Sequence, residues 1–222
     1  MVIFSIDGVD IASMGVHVSR STGIIGMPEI KERRMVSYAD ESGAYVDLSA
    51  KPRFEMRYIT LDCVMVGGRN YLQEKFRLFM DHINRPGTRR LLVDTGKDTS
   101  KPLVFEVYTD DSVDVVPEWG ESESVLEFSL RLVEQKPIKR VYRILKNDDD
   151  NREVLLSINT RTPIDVHWGD CKHDLAVYGE VVLNHLYTRH SADNALLVLS
   201  GDIDKLVSSD IDVESVLVWA EI

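Results

Sequence analysis

The sequence predicts a mainly β protein carrying one amphipathic helix, organised in two parts. Short segments of alternating polarity, divided by turn residues, recur along the 222 residues. Helical apolar spacing appears only once. A run without any apolar residue, NDDDNR at 147–152, follows the last long strand of the first part. Charge runs of this kind are solvated turns or linkers, and the boundary is placed near 140–152. The expected division is 1–145, a β-sandwich with the one helix, and 146–222, a small β-sandwich.

The first part opens with Asp7-Gly8 between VIFSI and VDIASM, the dipeptide favoured in two-residue hairpin turns. Strands are expected around Val16–Ser19 and Glu29–Ser37. The second contains KERR and should reach into solvent as part of a long arm or edge. Residues Tyr38–Pro52 have no clear period and read as a loop. From Arg53 the apolar residues are Phe54, Met56 and Tyr58; from Ile59 they are Ile59, Leu61, Cys63 and Met65. This phase change predicts a bulge, a bend or a change of buried face. Cys63–Val66 is apolar on both faces, which predicts burial on two sides.

Gly67-Gly68 ends that strand, with Asn70 as the expected helix N-cap and Gln73 reaching back. Leu72, Phe76, Phe79, Met80 and Ile83 then form one apolar stripe, and Arg85-Pro86-Gly87 stops the helix. A lone helix with one apolar stripe is best used as a lid across a sheet. Further strands follow at Arg90–Asp94, Leu103–Tyr108, Ser112–Pro117 and Val125–Glu134. The last has the cleanest alternation in the chain. In the second part, strands are expected at Val154–Ile158, Pro163–Trp168, Glu180–Tyr187 and Ala195–Ser200, with weaker ones near Ile203–Val207 and Val216–Ala220.

The charge is unevenly spread. Residues 1–145 hold 20 Lys and Arg against 22 Asp and Glu; residues 146–222 hold 6 against 15. An acidic surface repels phosphate backbones and anionic lipid, which argues against a nucleic-acid binder. The amino terminus does not read as a signal peptide, and no apolar run is long enough to span a bilayer. Cys63 and Cys171 stand far apart, so no disulfide framework is expected.

No catalytic constellation emerges: there is no nucleophile elbow and no phosphate-binding glycine loop. The densest polar cluster is VHWGDCKHD, with His167, Asp170, Cys171, His173 and Asp174. These residue types bind zinc or copper, but the spacing matches no recognised zinc pattern, and a structural turn is the plainer reading. His185 and His190 would join such a site only if the strands bring them close. Asp110-Asp111 and Asp148–Asp150 read as solvated loop residues. Trp119 and Trp219 could stack on a sugar or pack against a partner. The candidate ligand contacts are Trp168, Asp170, His173 and Trp219; no catalytic, cofactor or metal residue is assigned.

The order FSIDGVDIASMGVHV, a charged loop, RFEMRYITLDCVMVGG with its helix, LLVDTG, PLVFEVYT, DSVDVV and FSLRLVEQKP resembles the distal tail protein (Dit) family of long-tailed bacteriophages. It covers about two-thirds of the chain as a pattern rather than a sharp motif. The resemblance implies a virion structural protein at the tail tip, assembled as a six-fold ring that joins the tail tube to the host-recognition apparatus. DNA would pass through its centre without specific binding, and no catalytic residue carries over. Residues 153–200 resemble a PKD-like, immunoglobulin-type sandwich through PIDVHWGD and VVLNHLYT, with Cys171 where that turn expects glycine. Such modules serve in adhesion, spacing and glycan contact. A phage or prophage tail subunit is therefore the leading expectation. The others are a glycan-binding or adhesin module, and a metal enzyme built on 167–174.

Overall fold

The computed structural model describes residues 2–96, 101–145, 151–188 and 195–220. The first part runs β1 (Ile3–Ile6), β2 (Val9–Asp10), β3 (His17–Thr22), β4 (Met35–Val36), β5 (Tyr45–Val46) and β6 (Arg57–Gly67). After the helix α1 (Arg69–Ile83) come β7 (Arg89–Asp94), β8 (Leu103–Thr109), β9 (Val115–Glu118) and β10 (Ser124–Glu134). The second part holds β11 (Lys139–Ile144), β12 (Asn151–His167), β13 (His173–Thr188), β14 (Leu196–Gly201), β15 (Leu206–Ile211) and β16 (Ser215–Trp219). The architecture is mainly β, as the sequence predicts, and its strand pairs are antiparallel.

Asp7 and Gly8 both have positive φ, 50° and 79°, so the β1–β2 turn is built as its dipeptide predicts. The first sheet has the order β2-β1-β7-β8-β10-β6-β3, with β9 also on β10. β6 and β10 pair without interruption from Arg57↔Glu134 to Gly67↔Ser124. Their inward residues alternate, Ile59, Leu61, Cys63 and Met65 against Leu132, Leu130, Phe128 and Leu126. Helix α1 covers this face with Leu72, Phe79 and Ile83, and Phe76 and Phe79 close on the Phe128 ring at 5.2 and 5.9 Å. The single stripe thus serves as a lid.

Four local expectations change. The helix is capped at Gly68, and Asn70 lies inside its first turn. The phase change at Tyr58-Ile59 is not a bulge, because the β6–β10 register is unbroken. Instead, β6 begins at Arg57, whose own side chain takes the inward position, while Phe54 makes only an isolated bridge to Ile30. Nor is Cys63–Val66 buried on both sides, since Val66 is exposed. The region read as a loop contains β5, which pairs with β4 as a small exposed ribbon.

The second sheet has the order β13-β12-β14-β11-β16, with β15 also on β12. β12 is one strand where two were expected. Its register with β13 shifts at Thr160–Ile164, around Pro163, which cannot donate to the ladder. Beyond β13, β12 takes β15 at Leu156–Thr160 and β14 at Ile164–His167, so it serves two neighbours along one edge. β11 was not recognised in the sequence. It sits between β14 and β16, so the passage from one sheet to the other falls between Glu134 and Lys139. The acidic run at 146–150 lies outside the described residues.

β14 is buried on both faces. Leu197 and Leu199 enter the core of the second sheet with Val154, Leu156, Ile164 and Val166. Leu196 and Val198, with Val141 and Val218, pack instead on Val104 and Leu92 of the first sheet. This second contact joins the two sheets through an apolar layer.

Candidate functional site

The His167–Asp174 cluster occupies the turn from β12 to β13, at the junction of the sheets. Gly169 has a φ of 102°, and a Cβ there would meet the Leu196 carbonyl at 3.0 Å and the Arg90 guanidinium at 2.5 Å. Only glycine fits both requirements. Cys171 also adopts a left-handed backbone, with a φ of 65°, at the position where the PKD-like pattern expects glycine. The turn closes with the Trp168 amide donating to the Lys172 carbonyl at 3.0 Å.

Trp168 is only 1% exposed. Its Nε1–H donates to the Asp174 carboxylate at 2.7 Å, and its ring lies on His185 with centroids 4.4 Å apart. Tyr187 meets His185 edge-on at 4.5 Å and donates its hydroxyl to the Trp168 carbonyl at 2.7 Å. The His185 Nε2 is 3.1 Å from the Asp170 carboxylate, and the Lys172 amide donates to the same carboxylate at 3.3 Å. Burial lowers the His185 pKa against the opposing pull of Asp170, and raises that of Tyr187. Trp168 and Asp170 thus form a closed internal network. A buried tryptophan has no free face for a sugar, so this candidate contact is corrected to a packing role.

His167 points the other way. Its Nδ1 is 3.7 Å from Glu106 of β8, its Nε2 is 3.5 Å from the Ser200 hydroxyl, and its ring is 6.0 Å from His173. Arg90 of β7 donates to Glu106 at 2.6 Å, to the Leu196 carbonyl, and to the His167 carbonyl at 3.3 Å. One side chain of the first sheet therefore anchors two strands of the second. Beside it, a cleft of about 340 Å³ opens between Glu106, Tyr108, Lys136, Asp165, His167 and His173. His173 is exposed at its mouth, and Asp165 is paired with Lys136 at 2.7 Å. Burial lowers the His167 pKa, with Glu106 opposing and Arg90 reinforcing.

No three His, Cys, Asp or Glu residues converge as a metal site among the described residues. His167 and His185 lie in separate networks, and His190 is outside the described residues. Trp219 is half-buried and donates to the Pro102 carbonyl at 3.0 Å. It also lines an apolar groove of about 520 Å³ with Ile25, Met27, Phe54, Leu103 and Phe105. Trp119 is exposed, with the Arg69 guanidinium 4.9 Å over its ring.

Sequence reasoning missed a buried ionic triad at the crossing between the sheets. Glu134 accepts from Arg57 at 3.1 Å and from Lys139, and both cations lie over the Phe105 ring. Arg57 also donates to the carbonyls of Gly23 and Gly26 at 3.3 and 2.6 Å. Burial raises the Glu134 pKa and lowers that of Lys139, with their mutual attraction opposing both shifts. The phase change at Tyr58-Ile59 was the available signal, because alternation carried back from Ile59 places Arg57 on the inward side.

No protein-family model and no curated protein matches the sequence. In fold, the chain is similar to the SPP1 Dit (gp 19.1) protein, described as a paradigm of the hub adsorption apparatus in Gram-positive infecting phages. The TM-score is 0.50 at 12% identity, covering 98% of this chain and 100% of that one. The likeness shows a Dit-like fold over the whole described architecture. No helix among the described residues is long and apolar enough to cross a membrane.

Proposed function

We infer that the chain is a non-catalytic structural subunit of a phage or prophage tail, located at the tail tip. The observation that carries this reading is a Dit-like fold spanning both sheets. In support, the polar cluster at the sheet junction is bonded inward, as a joint would be. Copies assemble a ring, six-fold by family resemblance, that connects the tail tube to the host-recognition apparatus. The near-neutral balance of residues 1–145, 20 Lys and Arg against 22 Asp and Glu, suits a ring through which DNA slides without being held. The first sheet with its helix forms the ring unit. The second forms the outward unit, of the PKD-like kind.

Negative-stain imaging of the purified protein, alone and with tail-tube and tail-tip partners, tests this. Closed rings are expected. Separate particles at high concentration, persisting with the partners present, would overturn it.

A further inference from the structure

β13 is the outer strand of the second sheet and pairs with β12. Its first half is kinked, because Ala176 and Gly179 have positive φ and the register with β12 shifts there. From Glu180 to Thr188 it runs in unbroken register with Asn151–Asn159. Among the described residues, no strand lies along its other edge. Proteins blunt such edges with short strands, bulges, proline or lysine. Other outer strands follow this rule. β2, β4 and β5 have two residues each, β9 contains Pro117, and β3, β15 and β16 shift register against their neighbours. The stretch EVVLNHLYT at 180–188 has no bulge, proline, lysine or arginine. Its outward side chains include Val182 and Leu186, 63% and 52% exposed. An edge this flat and apolar is a template for another strand.

The stretch is also complementary to itself. Antiparallel pairing of two copies about Asn184 sets Val182 opposite Leu186, Val181 opposite Tyr187 and Leu183 opposite His185. Glu180 then lies opposite Thr188, so no like charges meet. A centre one residue earlier would set Glu180 against Leu186 and Val182 against Asn184. A centre at Val182 would need Tyr178, which lies beyond the kink at Gly179.

We propose that β13 of two copies pairs edge to edge, antiparallel about Asn184, and joins their second sheets into one. The occupant of the open edge is a second copy of this chain. Such a contact is isologous, whereas a ring closes through head-to-tail contacts. It goes beyond the ring reading, and it links copies in pairs whether or not rings form. Its area is small, so it is weak between single chains and stronger where several act together.

Sedimentation of the full chain across concentration reads the pairing. Asn184→Lys and Asn184→Asp, each alone, set like charges face to face and should weaken association at least tenfold. An equal mixture of the two should associate at least as well as the parent. Asn184→Cys, in a Cys171→Ser chain, should join its counterpart through a short bis-maleimide linker, since directly opposite Cβ atoms lie about 5 Å apart. Ser157→Cys, one strand inward on β12, should not. Association unmoved by both charge variants, a mixture no tighter than either variant, or position-184 links within one chain or absent each overturn the edge contact and leave the ring standing. Pairs linked at position 184 that form no ring with tail partners support the contact and overturn the ring.

Discussion

Trp168 lies flat on His185, with ring planes 7° apart and centroids at 4.4 Å, and this stack sits inside the second sheet rather than at its surface. An exposed tryptophan in VHWGD would have been a sugar platform. A buried one fixes the turn, because Asp174 and Tyr187 satisfy its polar atoms.

Replacing Trp168 by alanine removes that stack and leaves the Asp174 carboxylate without its donor. A loss of about 3–5 kcal/mol is expected from large-to-small substitution at a buried site. Denaturant unfolding measures it. Trp168→Phe should cost less, and any glycan affinity should be unchanged by it.

Acid should loosen the same region. Burial holds the His185 and His167 pKa values below the ordinary histidine value. The unfolded chain then binds more protons, so stability is complete above the ordinary value of about 6.5 and falls as pH drops below it. Glu134, held above its ordinary value, acts in the opposite direction. The His185→Phe variant therefore isolates the effect: its melting temperature should fall less between pH 7.5 and 5.5 than that of the parent.

The triad at the sheet crossing should be intolerant of partial removal. Glu134→Gln leaves Arg57 and Lys139 buried without their carboxylate, and a cost of about 3–5 kcal/mol is expected. Replacing all three by apolar residues of similar volume should cost less than the single change. Chemical denaturation of the two variants decides.

Brief trypsin treatment should cut first in the exposed segment 34–53, the arm that carries the β4–β5 ribbon. Arg34 and Arg53 are exposed and outside the packed sheets, whereas Arg57, Arg89 and Arg90 are buried. Mass spectrometry of early fragments should find ends within 33–53, with the remaining chain resisting longer.

Much of the element order was legible because local patterns are enough to set it. The Asp7-Gly8 turn, the stripe of α1 and the alternation of β10 each depend on near neighbours in sequence. β11 was hidden because Lys139 and Arg140 make KRVYRI look like part of a linker, and only a neighbouring Glu134 makes a buried lysine tolerable. β12 looked like two strands because Pro163 breaks the ladder locally, while β13 holds both halves from outside.

By itself, then, the sequence determined a mainly β chain with one lid helix and an acidic carboxy-terminal part. These follow from periodicity and composition, which are local properties. Tertiary structure decided which residues face inward. It buried Trp168, turned Arg57 onto Glu134, set His167 and His185 in different networks, and left the arm uncovered beside an open groove. Those outcomes depend on strands more than ninety residues apart meeting in one layer, as Val104 meets Val198, and no local pattern encodes that contact.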